Sequence, residues 1–295
     1  MVAHEYRISP QLENRIEQLI GEKIQSYRKI QGGYTPALRL VCRTQSTGVF
    51  VKVGATPSTA EFLEREIFVY DRIQGDFMPH FVAADPSDVE PILVIEDLSA
   101  GFWPPPWDTK RIDLVLAQIE AMHGAKAKLE PYEEAHCASI LCGTGWQAVA
   151  ENPDAFLSLG MVDSGWLDQA LPLLLSFEKA CMTEGHSLCH WDLRSDNMCF
   201  AKDRVLFVDW NHACLSNPKL DLGFWLPSLA YEGGPAPEEI LPDAPEIAAW
   251  VSGFFAARAG LLTISDAPYV RQVQRQQLDT ALPWAARALG LPPLS

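Results

Sequence analysis

Cys189-His190-Trp191-Asp192-Leu193-Arg194-Ser195-Asp196-Asn197 reads His-x-Asp, four intervening residues, then Asn. Soon after it the apolar run Val205-Leu206-Phe207-Val208 ends in Asp209-Trp210. Two short segments thus each deliver a carboxylate at the end of an apolar stretch, with an Asn between them in sequence. Asp192, Asn197 and Asp209 are all oxygen donors, the ligand type that a hard cation such as Mg²⁺ takes.

Moving a phosphoryl group to a hydroxyl requires in-line positioning, cations that spread the charge of the triphosphate, and a carboxylate that orients and deprotonates the nucleophile. Asp192 is the candidate for that carboxylate, and Asn197 and Asp209 are the candidates for Mg²⁺. His190 reads as a support of the loop through hydrogen bonding, with direct proton transfer as the alternative. Arg194 stands where a cation could reach a γ-phosphate, and a purely structural arginine explains it equally simply.

Upstream, Ile30-Gln31-Gly32-Gly33-Tyr34-Thr35-Pro36 precedes a strand over Leu38–Arg43, a turn at Gln45–Gly48 and a second strand over Val49–Val53. A glycine pair before a strand lets backbone approach a phosphate, although a plain hairpin turn has the same composition. Lys52 lies inside the apolar strand, where a charge is costly unless an anion meets it. The helical pattern from Ser58 to Ile73 carries Glu64 and Glu66; Glu66 is the expected partner of Lys52, with solvent-facing glutamates as the alternative. Strands over Phe81–Ala84 and Pro91–Ile95 follow, the second running into Glu96-Asp97-Leu98. An antiparallel sheet with one helix results, preceded by an amphipathic helix predicted from Gln11 to about Tyr27.

After Leu98 comes the breaker-rich stretch Ser99-Ala100-Gly101 and Trp103-Pro104-Pro105-Pro106-Trp107, and longer helical patterns succeed it. The expected lobes are therefore residues 1–98 and 99–295. In the second, Asp108 or Thr109 caps a helix ending near His123-Gly124, where His123 reads as a satisfied core histidine. Trp166 to Cys181 reads as the buried central helix, with further helices around Ile247–Ala259 and Pro268–Leu289. The acidic stretch Glu232–Glu246 is a candidate for amine recognition or a solvated loop.

With 48% hydrophobic and 21% charged residues the chain has the balance of a globular protein, and its net charge of −15 argues against nucleic acid as a partner. Residues 1–98 hold 10 basic and 14 acidic side chains and the remainder 13 and 24, so the acidity lies mainly in the second part. That suits a cationic small molecule, or simply a solvated surface. Seven scattered cysteines read as reduced, partly buried thiols of a cytoplasmic protein; His136, Cys137 and Cys142 fit no common zinc spacing. No apolar run reaches the ~18 residues that span a bilayer, so no membrane association is expected.

His190 to Asn197 and Val208-Asp209-Trp210 resemble the aminoglycoside phosphotransferase and choline kinase-like family, within the protein-kinase-like fold. Gly32-Gly33-Tyr34-Thr35-Pro36, Phe50-Val51-Lys52, Arg65-Glu66, Asp221-Leu222 and Leu282 to Leu291 extend the similarity over nearly the whole chain. The resemblance implies an α+β, two-lobed fold, with an antiparallel sheet and helix in an ATP-clasping N-terminal lobe and a larger, mainly helical C-terminal lobe. It further implies ATP held by Gly32, Gly33, Thr35, Lys52 and Glu66, adenine against Glu96 to Leu98, Asp192 as base, and Mg²⁺ on Asn197 and Asp209. Asp221 would start a helix bracing the loop. The sequence departs from the family at Trp191, most often Gly, and at Arg194, often His. It also lacks the three-glycine loop and the Ala-Pro-Glu segment of protein kinases. The expected function is transfer of the γ-phosphate of ATP to a hydroxyl of a small, cationic molecule such as an aminoglycoside antibiotic. The alternatives are a metabolite kinase for an amino alcohol or sugar and a catalytically silent nucleotide-binding protein. The oligomeric state is left open.

Overall fold

The computed structural model describes residues 6–87, 89–136 and 145–294. The chain begins with α1 (Pro10–Ile20), β1 (Ser26–Lys29), β2 (Leu38–Arg43), β3 (Gly48–Val53), α2 (Pro57–Arg72), β4 (Phe81–Asp85) and β5 (Ile92–Glu96). Helices α3 (Thr109–His123), α4 (Tyr132–Ala135), α5 (Trp146–Glu151), α6 (Asp154–Leu157) and α7 (Ser164–Ala180) follow. Next come β6 (Ser187–Cys189), β7 (Met198–Ala201), β8 (Arg204–Phe207) and β9 (Cys214–Ser216). The last helices are α8 (Lys219–Tyr231), α9 (Pro237–Ile240), α10 (Pro245–Ala259) and α11 (Val270–Leu289). Two compact units arise: the described residues up to Phe102 with Cys199–Asn211, and Trp103–Met198 with His212 onward.

The first unit is built on a five-stranded sheet of order β1-β2-β3-β5-β4, antiparallel at every pairing. Alternation along the strands sorts its two faces. Leu38, Leu40 and Cys42 of β2, Val49, Val51 and Val53 of β3, and Ile92 and Val94 of β5 form one apolar face, packed with Leu12 and Ile16 of α1. Arg39 and Lys52, directly paired across β2 and β3, are therefore on the opposite face.

The apolar periodicity predicts α1 as far as Tyr27, but the helix stops at Ile20. Gly21 adopts φ 78°, and its N–H closes on Glu17 O, which is how a left-handed residue ends a helix. Tyr27 instead belongs to the edge strand β1, and its hydroxyl accepts from Ile8 N at 3.1 Å. The strands expected at 38–43 and 49–53 and the helix expected over 58–73 form within a residue of those bounds.

A single boundary at residue 98 leaves out one feature of this unit. The β7–β8 hairpin returns to it: Cys199 and Leu206 pack on Leu98, with Ala201 and Val208 beside them. Phe102 and Phe200 exchange backbone hydrogen bonds of 2.9 and 2.8 Å. Arg204 forks onto both carboxylate oxygens of Glu96 at 2.7 Å.

In the second unit the helix buried all round is α10, not α7. Ile247 through Phe255 of α10 are buried without exception, and no charged residue interrupts them. α7 carries Asp168 and Lys179 and buries only the stripe Trp166, Leu167, Ala170, Leu174 and Glu178, as an amphipathic helix does. Helices α5, α6, α7, α8 and α11 all pack against α10.

A buried carboxylate ties three of these helices together. Glu178 Oε1 accepts from the backbone of Gly145 at 2.9 Å and Trp146 at 2.7 Å, and Oε2 from Gln147 at 3.2 Å. The α7 side chain thus satisfies the orphan amides that open α5. Trp146 Nε1 in turn donates to Ala249 O of α10 at 2.9 Å. Burial pushes the Glu178 carboxyl up, against the pull of the three N–H groups.

The described cysteines Cys42, Cys181, Cys189, Cys199 and Cys214 are free thiols; Cys137 and Cys142 lie outside the described residues. Burial pushes Cys42 up to about 11 and Cys181 and Cys199 to about 12, so these thiols stay protonated. Among the described residues no helix is long and apolar enough to cross a membrane.

Glu178→Ala is expected to cost about 1–3 kcal/mol for each buried N–H left unpaired. Denaturant unfolding of the variant should show the loss as a lower midpoint, and an unchanged midpoint would refute the capping role.

Candidate active site

Lys52 leaves β3 on the face opposite α1 and is buried, as is Glu66 on α2. Its ammonium donates to Glu66 Oε2 at 2.7 Å and also to Asp209 Oδ1. Of the two candidate glutamates, Glu66 is the one on the sheet-facing side of α2, while Glu64 is only partly buried. Burial by itself would lower the Lys52 pKa, but the charges of Asp209 and Glu66 outweigh it and hold the group above its ordinary value. Burial pushes the Glu66 carboxyl up, opposed by Lys52. The lysine is thus a permanent cation held between two carboxylates. Asp209 follows β8 with φ 69°, in the left-handed region.

The Gly32–Thr35 turn lies in the same unit. Gly32 and Gly33 have φ of 143° and 72°. Thr35 offers its carbonyl and its hydroxyl to Arg39, at 3.1 and 3.2 Å. At the end of β5, Glu96 is occupied by Arg204 and by His80 N–H at 3.1 Å. Burial opposes these bonds, yet they keep the Glu96 carboxyl below its usual range. Leu98 is buried, and its carbonyl accepts from Gly101 N at 2.9 Å.

In the second unit β6 runs directly into the 190–197 loop. Asp192 meets Arg194, whose Nε is 3.1 Å from Oδ1 and whose Nη2 is 3.3 Å from Oδ2. Arg194 also lies 3.5 Å from Asp196. Asn197 Nδ2 donates to Asp192 O at 2.8 Å and to Asp192 Oδ2 at 3.0 Å. The amide nitrogen is thereby used to hold Asp192, and Asn197 Oδ1 accepts nothing among the described residues. His190 is fully buried, and its Nδ1 accepts from Asp192 N at 3.3 Å. That contact holds the loop through backbone, and the ring nitrogen making it is an acceptor.

Asp221, fully buried in the first turn of α8, secures the base of the loop. It accepts from His190 N at 2.9 Å and Trp191 N at 2.7 Å, and from His123 Nε2 at 2.9 Å. His123 is therefore a satisfied histidine. Together with Cys189 these groups are of metal-ligand type and lie within 4.8 Å of one another. Burial, and then Asp221, hold the Cys189 thiol protonated, and Asp221 is committed to N–H donors, so the cluster serves as a brace.

Trp191 has φ 65°. A side chain is uncommon in that region and glycine is free there. The indole is locked by stacking on Tyr132 at 4.2 Å and by an edge contact with Trp250 at 5.6 Å.

Two residues beside the candidate groups are not evident in the sequence. Glu232 accepts from Ser195 Oγ and from Trp107 Nε1 at 2.7 Å, across 37 and 125 positions of chain. Glu238 is likewise paired with Arg287, and Glu239 accepts from Ala236 N at 2.7 Å. Much of the acidic stretch 232–246 is thus engaged internally, and it contains α9 and the start of α10. Arg39, beside the glycine turn, is the other unforeseen residue; a single arginine in a strand carries no spacing signal.

The sequence profile of the phosphotransferase enzyme family matches residues 27–254, a span holding Lys52, the 190–197 loop, Asp209 and Asp221. No curated protein matches the chain by sequence. Solved structures align over nearly its full length. Aminoglycoside phosphotransferase APH(4)-Ia aligns with a TM-score of 0.59 at 12% identity, over 95% of this chain and 97% of that one. Choline kinase LicA from Streptococcus pneumoniae aligns with a TM-score of 0.54 at 14% identity, over 95% and 96%. Spectinomycin phosphotransferase APH(9)-Ia aligns with a TM-score of 0.53 at 15% identity, over 97% and 90%. At such identities the likeness is one of fold, the protein-kinase-like α+β fold. On the strength of the matched profile, the chain belongs to the phosphotransferase enzyme family and is a small-molecule kinase.

Proposed function

We propose that the chain transfers the γ-phosphate of ATP to a hydroxyl of a small, amine-bearing molecule. The observation that carries this reading is the buried Lys52 held by Glu66 and Asp209, a fixed cation of the kind that meets nucleotide phosphates in kinases. Solved relatives in fold bind ADP, AMP-PNP or AMP, which supports nucleotide use.

In this reading the Gly32–Thr35 turn and Lys52 receive the triphosphate, and backbone between Glu96 and Leu98 meets the adenine. Asp192, oriented by Asn197 and Arg194, takes the proton of the acceptor hydroxyl. The hydroxyl oxygen then forms its bond to the γ-phosphorus as the bond to ADP breaks. Arg194 turns part of its fork from Asp192 to the transferred group. Asn197 Oδ1 and the Asp209 carboxylate fit Mg²⁺, being hard oxygen donors, one of them without a hydrogen bond among the described residues. Each would serve as a ligand of Mg²⁺, which when bound spreads the charge of the β- and γ-phosphates.

For the acceptor, a cationic hydroxylated compound suits the net charge of −15. Hygromycin B and spectinomycin are bound by two structural neighbours, and a third is a choline kinase. Aminoglycosides, with resistance as the outcome, and amino alcohols are the two classes this favours. The deciding experiment is a phosphate-transfer screen read by mass, with aminoglycosides, macrolides, amino alcohols and sugars in separate wells. Gain of one phosphate on an amine-bearing acceptor is expected; ATP turnover with no acceptor phosphorylated in any class counts against the reading.

Asp192→Asn should lower kcat about 10²–10⁴-fold, the usual worth of a general base, while AMP-PNP affinity in a calorimeter stays at the wild-type value. Retained turnover would remove Asp192 from the mechanism. Asp209→Ala should make nucleotide affinity indifferent to Mg²⁺ over a titration that strengthens binding to the wild type. If the variant keeps the full Mg²⁺ response, Asp209 is not a ligand.

A further inference from the structure

Arg39 faces Lys52 across β2 and β3, on the face of the sheet that α1 does not cover. It is only 9% exposed. Its contacts are Nη1 to Thr35 O at 3.1 Å and to Ala37 O at 3.0 Å, and Nη2 to Thr35 Oγ1 at 3.2 Å. All three acceptors are neutral. Lys52 has two carboxylates within hydrogen-bond reach, whereas among the described residues Arg39 has no ion pair. It senses Glu66 only through space. A buried guanidinium served by neutral acceptors alone is an unfinished site, because burying a charge is costly until an opposite charge meets it.

Guanidinium carries five N–H groups. Three are used, which leaves Nε–H and one N–H of Nη2, charged donors of the kind that phosphate oxygens take. Gly33 packs directly against the guanidinium: a Cβ there would lie 2.7 Å from the guanidinium carbon, a clash, so only glycine lets the turn approach Arg39 this closely. The backbone N–H groups of Gly32, Gly33 and Thr35 donate to no acceptor among the described residues. Unused amides around positive-φ glycines form the concave donor set that binds anions.

We propose that Arg39, with the free amides of Gly32, Gly33 and Thr35, contacts the polyphosphate of the nucleotide beside Lys52 as a second binding cation. This rests on the kinase reading above. Two consequences separate it from a clamp that merely shapes the turn: the contribution depends on phosphate, and it depends on the fork as well as on the charge.

The test is calorimetric binding of AMP-PNP with Mg²⁺, and of adenosine, to the full chain and to Arg39→Gln, Arg39→Lys and Lys52→Met. Arg39→Gln is expected to weaken AMP-PNP by roughly tenfold or more and to leave adenosine within about twofold of wild type. Arg39→Lys, which keeps the charge and drops the fork, should weaken AMP-PNP by about threefold or more, and it decides the matter if the glutamine variant does not fold. Wild-type AMP-PNP affinity in both Arg39 variants, or equal losses for AMP-PNP and adenosine, overturns the proposal. If Lys52→Met loses AMP-PNP while the Arg39 variants keep it, Arg39 alone is dismissed and the kinase reading stands. A wild-type chain that binds no AMP-PNP overturns both.

Discussion

A lysine ammonium under a β-sheet is tolerable only when carboxylates come to it, and in this protein they come from two distant parts of the chain. Glu66 reaches Lys52 across 14 residues and Asp209 across 157. The first contact fixes which side of α2 faces the sheet. The second draws the end of β8 to the same point, which is consistent with the hairpin 199–211 completing the first unit. The ion-paired cluster is two carboxylates and one ammonium, a net charge of −1 that does not by itself attract a bare triphosphate. That is a physical reason for ATP to be taken with a divalent cation, as the proposed function has it.

The second unit solves a different problem, that of holding a loop still at the end of a three-residue strand. Asp221 does this from beneath by taking two successive backbone N–H groups, those of His190 and Trp191, while His123 fixes its second oxygen. From above, Asn197 takes the carbonyl and the carboxylate of Asp192 with one amide nitrogen. Ser195 is bound by Glu232. Every polar residue from 190 to 197 that bears on Asp192 is thereby engaged within the unit, and this removes the freedom that a loop of this length would otherwise have.

What could be read from sequence was what is local or repeats. Lys52 was legible because a charge inside an apolar strand needs a reason, and the 190–197 loop because its residue types come at fixed spacing. The sheet was legible through β2, β3 and β5, whose side chains alternate or are buried on both faces. β1, Ser-Tyr-Arg-Lys, shows no apolar alternation, and the helical periodicity before it runs on as far as Tyr27, because the real end of the helix depends on one left-handed glycine. The allegiance of the hairpin was hidden because it rests on pairs such as Glu96–Arg204, 108 residues apart. Glu178 was hidden likewise, since a glutamate in an apolar helix does not announce that it caps another helix 31 to 33 residues away.

The two carboxylates that matter most share a device. Asp209 itself has positive φ, and Asp192 directly follows Trp191, which has it too. Such backbone costs about 1–3 kcal/mol at a residue with a side chain, and it persists only where the surroundings overdetermine it. In the first unit that hold includes the bond from buried Lys52, and in the second it is the packing of an indole between Tyr132 and Trp250. One is electrostatic and sensitive to any cation that competes for Asp209; the other is apolar and indifferent to charge. The asymmetry fits the proposed roles. A metal ligand must be able to exchange one cation for another, while a base gains from a position that does not change when phosphates and metal arrive.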